Sequence, residues 1–291
     1  MRARLLSSFA VVVIGLAATL IGGPVFALAL VMLGIAGFRE YVELAARLGA
    51  GDVVSLAGVG SSAIAAFAIA AFLGGTTPHL FAATAFALAV PFAIVLATNR
   101  GSCLAWSLVG VGCLYLGMPI FAAIVLRMSP GDIGAAWLHE LAKRLSIGWT
   151  VYPRGLAWAA IVVVATWIAD TVAYLAGRAI GKRKLAPRIS PNKTVAGAVA
   201  GLLGAAIVGA IGFHAFALGS LWVGLVVGML LGIAGQLGDL AESFLKRQAG
   251  VKDSGTLVPG HGGLLDRIDA LLFAFPAGLL IAAAYDWLHL Q

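Results

Sequence analysis

The chain has 291 residues, 62% of them hydrophobic and only 11% charged, with a mean hydropathy of +1.04 and a formal net charge of +7. Soluble domains carry roughly a quarter charged residues, so this composition excludes an ordinary soluble domain and points to a polytopic membrane protein. The positive balance is not a nucleic-acid signature, because the basic residues gather in short loops between apolar runs, as membrane orientation requires.

At ~20 residues per span, about nine apolar runs qualify as transmembrane helices. They cover 5–21, 25–38, 54–73, 80–97, 103–126, 156–176, 195–216, 221–237 and 268–288. The first follows Arg2 and Arg4 like a signal peptide, yet Gly22-Gly23-Pro24 and another apolar run come at once. That order favours a retained helical hairpin over cleavage. The second run continues in helical pattern from Arg39 to Leu48, an extension expected to project beyond the bilayer. Cys103 and Cys113 lack zinc-site spacing and read as two buried structural thiols. The runs are too continuous for a β-barrel, whose strands alternate over ~10 residues. The expected fold is therefore all-α, a polytopic membrane helical bundle.

Three regions follow from the distribution of charge. Residues 1–128 read as a transmembrane scaffold able to accommodate lipid, poor in internal charge and rich in small residues. Residues 129–153 form an outer loop, in which 135–145 predicts an amphipathic helix resting in the interface with Leu138, Leu141 and Leu145 on one side. Residues 154–291 carry the specific polar groups and read as the catalytic region. With nine spans and a cytoplasmic N-terminus, roughly fifteen basic residues fall inside against four outside. Both charged C-terminal loops then face the cytoplasm from the inner membrane.

The densest chemistry lies between the last two apolar runs. Asp239, Glu242 and Ser243 stand at i, i+3 and i+4 on a helical continuation of the eighth run. Asp266 and Asp269 stand three apart where the last helix begins. Carboxylates at two helix ends suit a hard cation such as Mg²⁺, which takes one or two of them together with substrate phosphates. Lys246, Arg247, Lys252 and Arg267 supply positive charge for anions. Between them Val258-Pro259-Gly260-His261-Gly262-Gly263 is a turn-rich loop whose backbone N–H groups can meet phosphate oxygens. His261 can serve that site, although a lone histidine is more often structural.

A second constellation straddles the sixth and seventh runs. Asp170, inside an apolar run, stands one helical turn before Tyr174. A carboxylate there needs a partner, a cation or water, or else makes a helix–helix hydrogen bond. The basic stretch 177–194 can anchor to anionic headgroups. Its end, Ser190-Pro191-Asn192-Lys193-Thr194, fits better as a phosphate site at a helix entrance.

These residues together resemble the phosphatidate cytidylyltransferases, or CDP-diacylglycerol synthases. The segment from Ser243 through Lys246-Arg247, Lys252-Asp253, Pro259-Gly260-His261-Gly262-Gly263 and Asp266-Arg267-Ile268-Asp269 matches that family's signature. Gln236-Leu237-Gly238-Asp239-Leu240, Asp170 to Tyr174, and Ile189 to Thr194 match its other blocks, so the specific motifs cover about 167–269. One departure is plain: where the family carries x-Glu-Gly after Ser-Pro-x-Lys-Thr, this chain has Val195-Ala196-Gly197.

The resemblance implies an enzyme that joins CTP and phosphatidate into CDP-diacylglycerol and pyrophosphate. It implies Mg²⁺ at Asp239 and Asp266, with room for a second cation. Asp170, Lys193, Lys252 and Asp269 join them as catalytic residues. Tyr174, Ser190, Thr194, Ser243, Lys246, Arg247, His261, Gly262, Gly263 and Arg267 bind substrate or phosphate. Partners are the two substrates and membrane lipids, with a homodimer allowed and no nucleic acid. A related polyprenol, phytol or dolichol kinase, or a transporter of an anionic solute, is the alternative reading.

Overall fold

The computed structural model describes residues 15–50, 57–98, 102–145, 152–255 and 262–289. In chain order, helix α1 spans Gly23–Ala45, α2 Ala57–Phe72, α3 Thr77–Thr98, α4 Cys103–Arg127, α5 Ala136–Leu145 and α6 Pro153–Ile180. Strands β1 (Lys184–Ala186) and β2 (Ser190–Thr194) form a small hairpin, and α7 Val195–Ala215, α8 Leu221–Gln248 and α9 Leu265–His289 follow. Among the described residues seven helices are long and apolar enough to cross a membrane. The all-α polytopic fold is therefore borne out, with the hairpin as an addition to it. The count of nine is not confirmed among the described residues: α2 has only 16 residues, and the first apolar run lies mostly outside them, with 15–21 helical.

The chain divides into two compact units, the first made of Met1–Ala18, Gly23–Val125 and Leu245–Ile268. In this unit α1 carries on beyond Phe38, as the helical pattern predicts, and one side of the extension packs within the protein. Phe38, Glu40, Tyr41, Val42, Leu44 and Ala45 are all buried. Small residues on the neighbouring helices make the room. A Cβ on Gly60 would fall 1.9 Å from the Phe38 ring, and one on Gly112 would fall 2.3 Å from the Tyr41 ring. The Tyr41 hydroxyl completes the fit by donating to the Leu108 carbonyl at 2.9 Å. Cys113 is buried, as expected, whereas Cys103 is exposed because it is the first residue of α4.

The second unit comprises Thr19–Gly22, Leu126–Phe244 and Asp269–Gln291. Its helices approach through backbone-to-backbone contacts that only small residues permit. A Cβ on Gly201 would meet the Ala169 carbonyl oxygen at 2.8 Å, bringing α7 onto α6, and one on Gly228 would meet that of Ala205 at 2.1 Å, bringing α8 onto α7. Further along, Trp158 is fully buried and meets Phe213 edge-on, their ring centroids 5.4 Å apart. Arg127 is buried too. Its guanidinium donates to the carbonyls of Thr19 (2.7 Å) and Leu20 (3.1 Å), satisfying the end of the preceding helical segment. Arg127 is thus a helix cap within the protein.

Helix α5 is amphipathic, as its sequence predicts, and its apolar side packs on protein. Leu138 and Ala142 are buried with Ile133, Ala135, Leu156 and Ala157, whereas Leu141 is 37% exposed. The Trp137 indole N–H donates to the Ala215 carbonyl at 2.7 Å and fastens the helix to the end of α7. The Leu145 side chain falls outside what the structure describes.

The Gly228 contact yields a stability test. Gly228→Val should destabilise the detergent-purified protein by ~1–3 kcal/mol, because backbone rather than a movable side chain blocks the added atoms. Gly58→Ala, with nothing within 4 Å of the added Cβ, should change little. Thermal unfolding of both variants beside the parent checks this.

Candidate active site

Each unit gathers predicted site residues around carboxylates. In the second unit the hairpin does the placing. The basic stretch expected to be an anchoring loop pairs antiparallel, with Lys184 opposite Thr194 and Ala186 opposite Ser190. β2 runs directly into α7, and Thr194 is the N-cap: its hydroxyl accepts from the Gly197 N–H at 3.1 Å. The Val195 N–H donates back to the Arg183 carbonyl at 2.9 Å, tying the helix start to the hairpin. Thr194 is 5% exposed, so its hydroxyl serves the cap. Ser190 lies half-buried at the other end of β2.

This ribbon holds Lys193 with its Nζ 2.6 Å from Asp239 Oδ2. Asp239 sits on α8 just after Gly238, where a Cβ would lie 2.4 Å from the Asp269 carbonyl oxygen, so α8 and α9 touch beside it. The Ser243 hydroxyl points at Asp239 Oδ1 from 3.4 Å, a loose contact. Gln236 donates to the Ala198 carbonyl at 2.9 Å and links α8 to α7 one turn earlier. Asp170 on α6 interacts electrostatically with both Asp239 and Lys193. Lys193 thus pairs with Asp239 within electrostatic reach of a second carboxylate. Tyr174, one turn beyond Asp170, is 65% exposed, and the Asp269 carboxylate accepts from the Ala270 N–H at 2.8 Å.

The first unit holds Lys246, Asp266 and the loop that joins them. Helix α8 ends at a glycine with left-handed backbone, Gly250 at φ 70°. The Gly250 N–H returns to the Arg247 carbonyl (3.1 Å) and the Val251 N–H to that of Lys246 (2.9 Å), the paired bonds of a Schellman turn. The reversal brings Ser254 to Asp266. Asp266 Oδ2 accepts from the Ser254 N–H (3.0 Å), the Ser254 hydroxyl (3.1 Å) and the Gly263 N–H (2.8 Å), while Oδ1 pairs with Lys246. The Gly263 N–H, a candidate phosphate donor, is therefore directed at Asp266. Gly262 adopts φ 85°, and a Cβ there would fall 2.8 Å from Asp266 Oδ2.

Sequence reasoning missed one residue of this cluster. Glu40 of α1 is 3% exposed, and its carboxylate accepts from the Leu264 N–H (2.9 Å), the Leu265 N–H (2.9 Å) and the Ser254 hydroxyl (3.1 Å). The available signal was an ionisable residue at the end of an apolar run, four before Leu44 on a face that turns out to be buried. Lys252, Arg247 and Arg267 are exposed, with Arg247 donating to the Val251 carbonyl at 3.2 Å. His261 lies outside the described residues.

The donor set suits Mg²⁺ better than a softer metal. Among the described residues no group of three or more His, Cys, Asp or Glu could enclose an ion. What is present is carboxylate oxygen, one or two at a time, which is how Mg²⁺ binds when substrate phosphates and water complete its shell. Asp239 and Asp266 each face a lysine ammonium, so each already stabilises a cation. A cavity of about 350 Å³ lies elsewhere, lined by Asp132, Arg154, Leu218, Tyr285 and Asp286. Arg154 and Asp170 are sixteen residues apart on α6, roughly 24 Å along the axis, so that cavity is remote from Asp170.

Comparison with known proteins agrees with the motifs. The profile of the cytidylyltransferase family matches residues 2–284. The phosphatidate cytidylyltransferase of Brucella abortus biovar 1 (strain 9-941) is 33% identical over 287 residues, covering 98% of this chain and 94% of that protein. That of Staphylococcus haemolyticus (strain JCSC1435) is 43% identical over 151 residues, 51% of this chain and 55% of the relative. The Staphylococcus saprophyticus protein is 48% identical over 125 residues, 42% and 48% of the two chains. The chain spans about half the length of these two staphylococcal relatives. With the profile running almost end to end and one relative matched along nearly its whole length, this chain belongs to the cytidylyltransferase family, as its resemblance to the phosphatidate cytidylyltransferases implies.

Proposed function

We propose that the chain is a metal-assisted phosphatidate cytidylyltransferase that makes CDP-diacylglycerol from CTP and phosphatidate. A phosphate oxygen of the lipid attacks the α-phosphorus of CTP; the bond from that phosphorus to the bridging oxygen breaks, and pyrophosphate leaves. The observation that carries this reading is the Lys193–Asp239 pair beside Asp170. It combines an ammonium for phosphate with carboxylate oxygens for a hard cation, on a family member that reads as membrane-embedded. Both reactants are anions, so approach is limited by repulsion rather than by the lack of a base. Phosphatidate is already ionised at neutral pH and needs no proton removed.

The residues divide the work by charge. Lys193 and Lys246, each held on a carboxylate without substrate, can turn to phosphate oxygens when substrate arrives. Exposed Lys252, Arg247 and Arg267 attract the triphosphate. Asp239 and Asp266 would hold Mg²⁺, and Asp170 and Asp269 would extend the oxygen set toward a second cation. When bound, Mg²⁺ supplies Lewis-acid charge to the triphosphate and the departing pyrophosphate. The positive-inside bias of the basic loops supports a reaction at the cytoplasmic face of the inner membrane, where CTP is available and the lipid headgroup lies.

Purified protein supplied with CTP, Mg²⁺ and phosphatidate should release pyrophosphate and form CDP-diacylglycerol; release of CDP would instead mark a kinase. Asp266→Asn should cut Mg²⁺-supported turnover by about 10²-fold or more with the folded protein still recovered from membranes. Near-normal turnover would remove Asp266 from the metal role. For Lys193→Ala, loss of a charge-assisted contact of ~1.5–3 kcal/mol should lower kcat/KM for CTP by about 10- to 100-fold. Unchanged CTP and lipid kinetics would count against it. Ala196 stands in the first turn of α7, half-buried, three residues after Lys193. Ala196→Glu restores the acid found in the family. If the acid contributes to this enzyme's chemistry, steady-state rates should rise, and no gain means that other groups replace it.

A further inference from the structure

Glu40 lies on α1, some two hundred residues before the loop it touches, and belongs to none of the motifs that mark the active site. Its environment is unusual for a carboxylate. It is 3% exposed and is held by the two backbone N–H groups that open α9 and by the Ser254 hydroxyl. A negative charge at a helix N-terminus is favourable there, since the first N–H groups lack intrahelical acceptors.

The loop is shaped to admit that carboxylate. A Cβ on Gly263 would fall 1.9 Å from Ser254 Oγ and 2.5 Å from Glu40 Oε2. One on Gly255 would fall 2.6 Å from Glu40 Oε1. These two glycines are needed because Glu40 and Ser254 occupy the space a side chain would take. The Ser254 hydroxyl stands 3.1 Å from Glu40 Oε2 and 3.1 Å from Asp266 Oδ2. It has one hydrogen to share between two acceptors, so the positions of the two acids are linked through it. The Gly263 N–H that reaches Asp266 is immediately followed by the Leu264 and Leu265 N–H groups that reach Glu40.

We propose that Glu40 is a positioning residue for the proposed reaction: it clamps Ser254 and the start of α9 so that Asp266 presents its Oδ1 edge to a cation or to Lys246. The inference rests on the reading of Asp266 as a metal carboxylate. Glu40 itself touches neither substrate nor metal. Replacing it by glutamine keeps the size but turns an amide N–H₂ toward donors that need an acceptor, so the loop loosens and Asp266 loses its fixed direction.

The test uses the full-length protein in detergent, with Mn²⁺ binding followed by electron paramagnetic resonance and Mg²⁺ activation followed by turnover. Glu40→Gln should weaken Mn²⁺ binding about 10-fold and raise the Mg²⁺ concentration for half-maximal activity by a similar factor. At saturating Mg²⁺, kcat should recover to within about threefold and the KM for phosphatidate should stay unchanged. Glu40→Asp, which keeps the charge but shortens the reach, should fall between the two, and it carries the test if Glu40→Gln does not fold. Wild-type Mn²⁺ affinity in the variant, or a loss of turnover that excess Mg²⁺ does not restore, overturns the inference. Asp266→Asn run alongside separates the two ideas. If it binds Mn²⁺ normally, the metal reading fails and the Glu40 role fails with it; if it loses Mn²⁺ while Glu40→Gln does not, only the Glu40 role fails.

Discussion

A carboxylate removed from water must be given donors or an opposite charge, and that requirement organises the carboxylate cluster of each unit. An unpaired buried ion costs several kcal/mol even after relaxation. Three of the acids are answered in specific ways: Asp239 by Lys193, Asp266 by Lys246 and three N–H or O–H donors, and Glu40 by a helix start and a serine. The local folds exist to deliver those answers. The hairpin brings Lys193, the Schellman turn after α8 brings Ser254, and the glycines of the following loop let backbone donors come within reach.

In the reaction proposed above, the same pairing would prepare the chemistry. An ammonium lying on a carboxylate marks a place that already stabilises a cation. A metal taking that place would leave the lysine charge for phosphate. Electrostatic catalysis depends on groups fixed before the reaction starts, because reorientation during the reaction would consume part of the gain. Asp266, with its Oδ2 occupied by three donors, meets that condition more fully than Asp239, whose second oxygen has only a 3.4 Å contact from Ser243.

Much of this was legible in the sequence, for physical reasons that also explain what was not. Long apolar runs must be helical in a membrane, so 103–126 and 195–216 reappear as α4 and α7 within a residue or two. Asp170, Lys193 and Asp239 stood out because charge is rare in such a chain, and the structure brings them together. Glu40 was hidden because its partners are two hundred residues away and two of them are backbone N–H groups, which leave no trace in side-chain patterns. The hairpin was hidden because Lys184 to Thr194 shows no alternation of apolar and polar residues; its register comes from backbone pairing and from the Thr194 cap. The packing of the second run's extension was hidden for a related reason. Helical periodicity predicts that 39–48 is a helix, but only the glycines across from it, Gly60 and Gly112, reveal that its aromatic side is packed.

The hairpin also separates what must stay fixed from what is free to vary. Both of its strands are anchored at the α7 end, where Val195 bonds to Arg183 and Thr194 caps the helix, while Pro187 and Arg188 stand exposed at the tip. Length or charge added at such a tip is tolerated far better than at a buried junction. The ribbon's tip can therefore be lengthened, shortened or recharged while the lysine at its root keeps its aim.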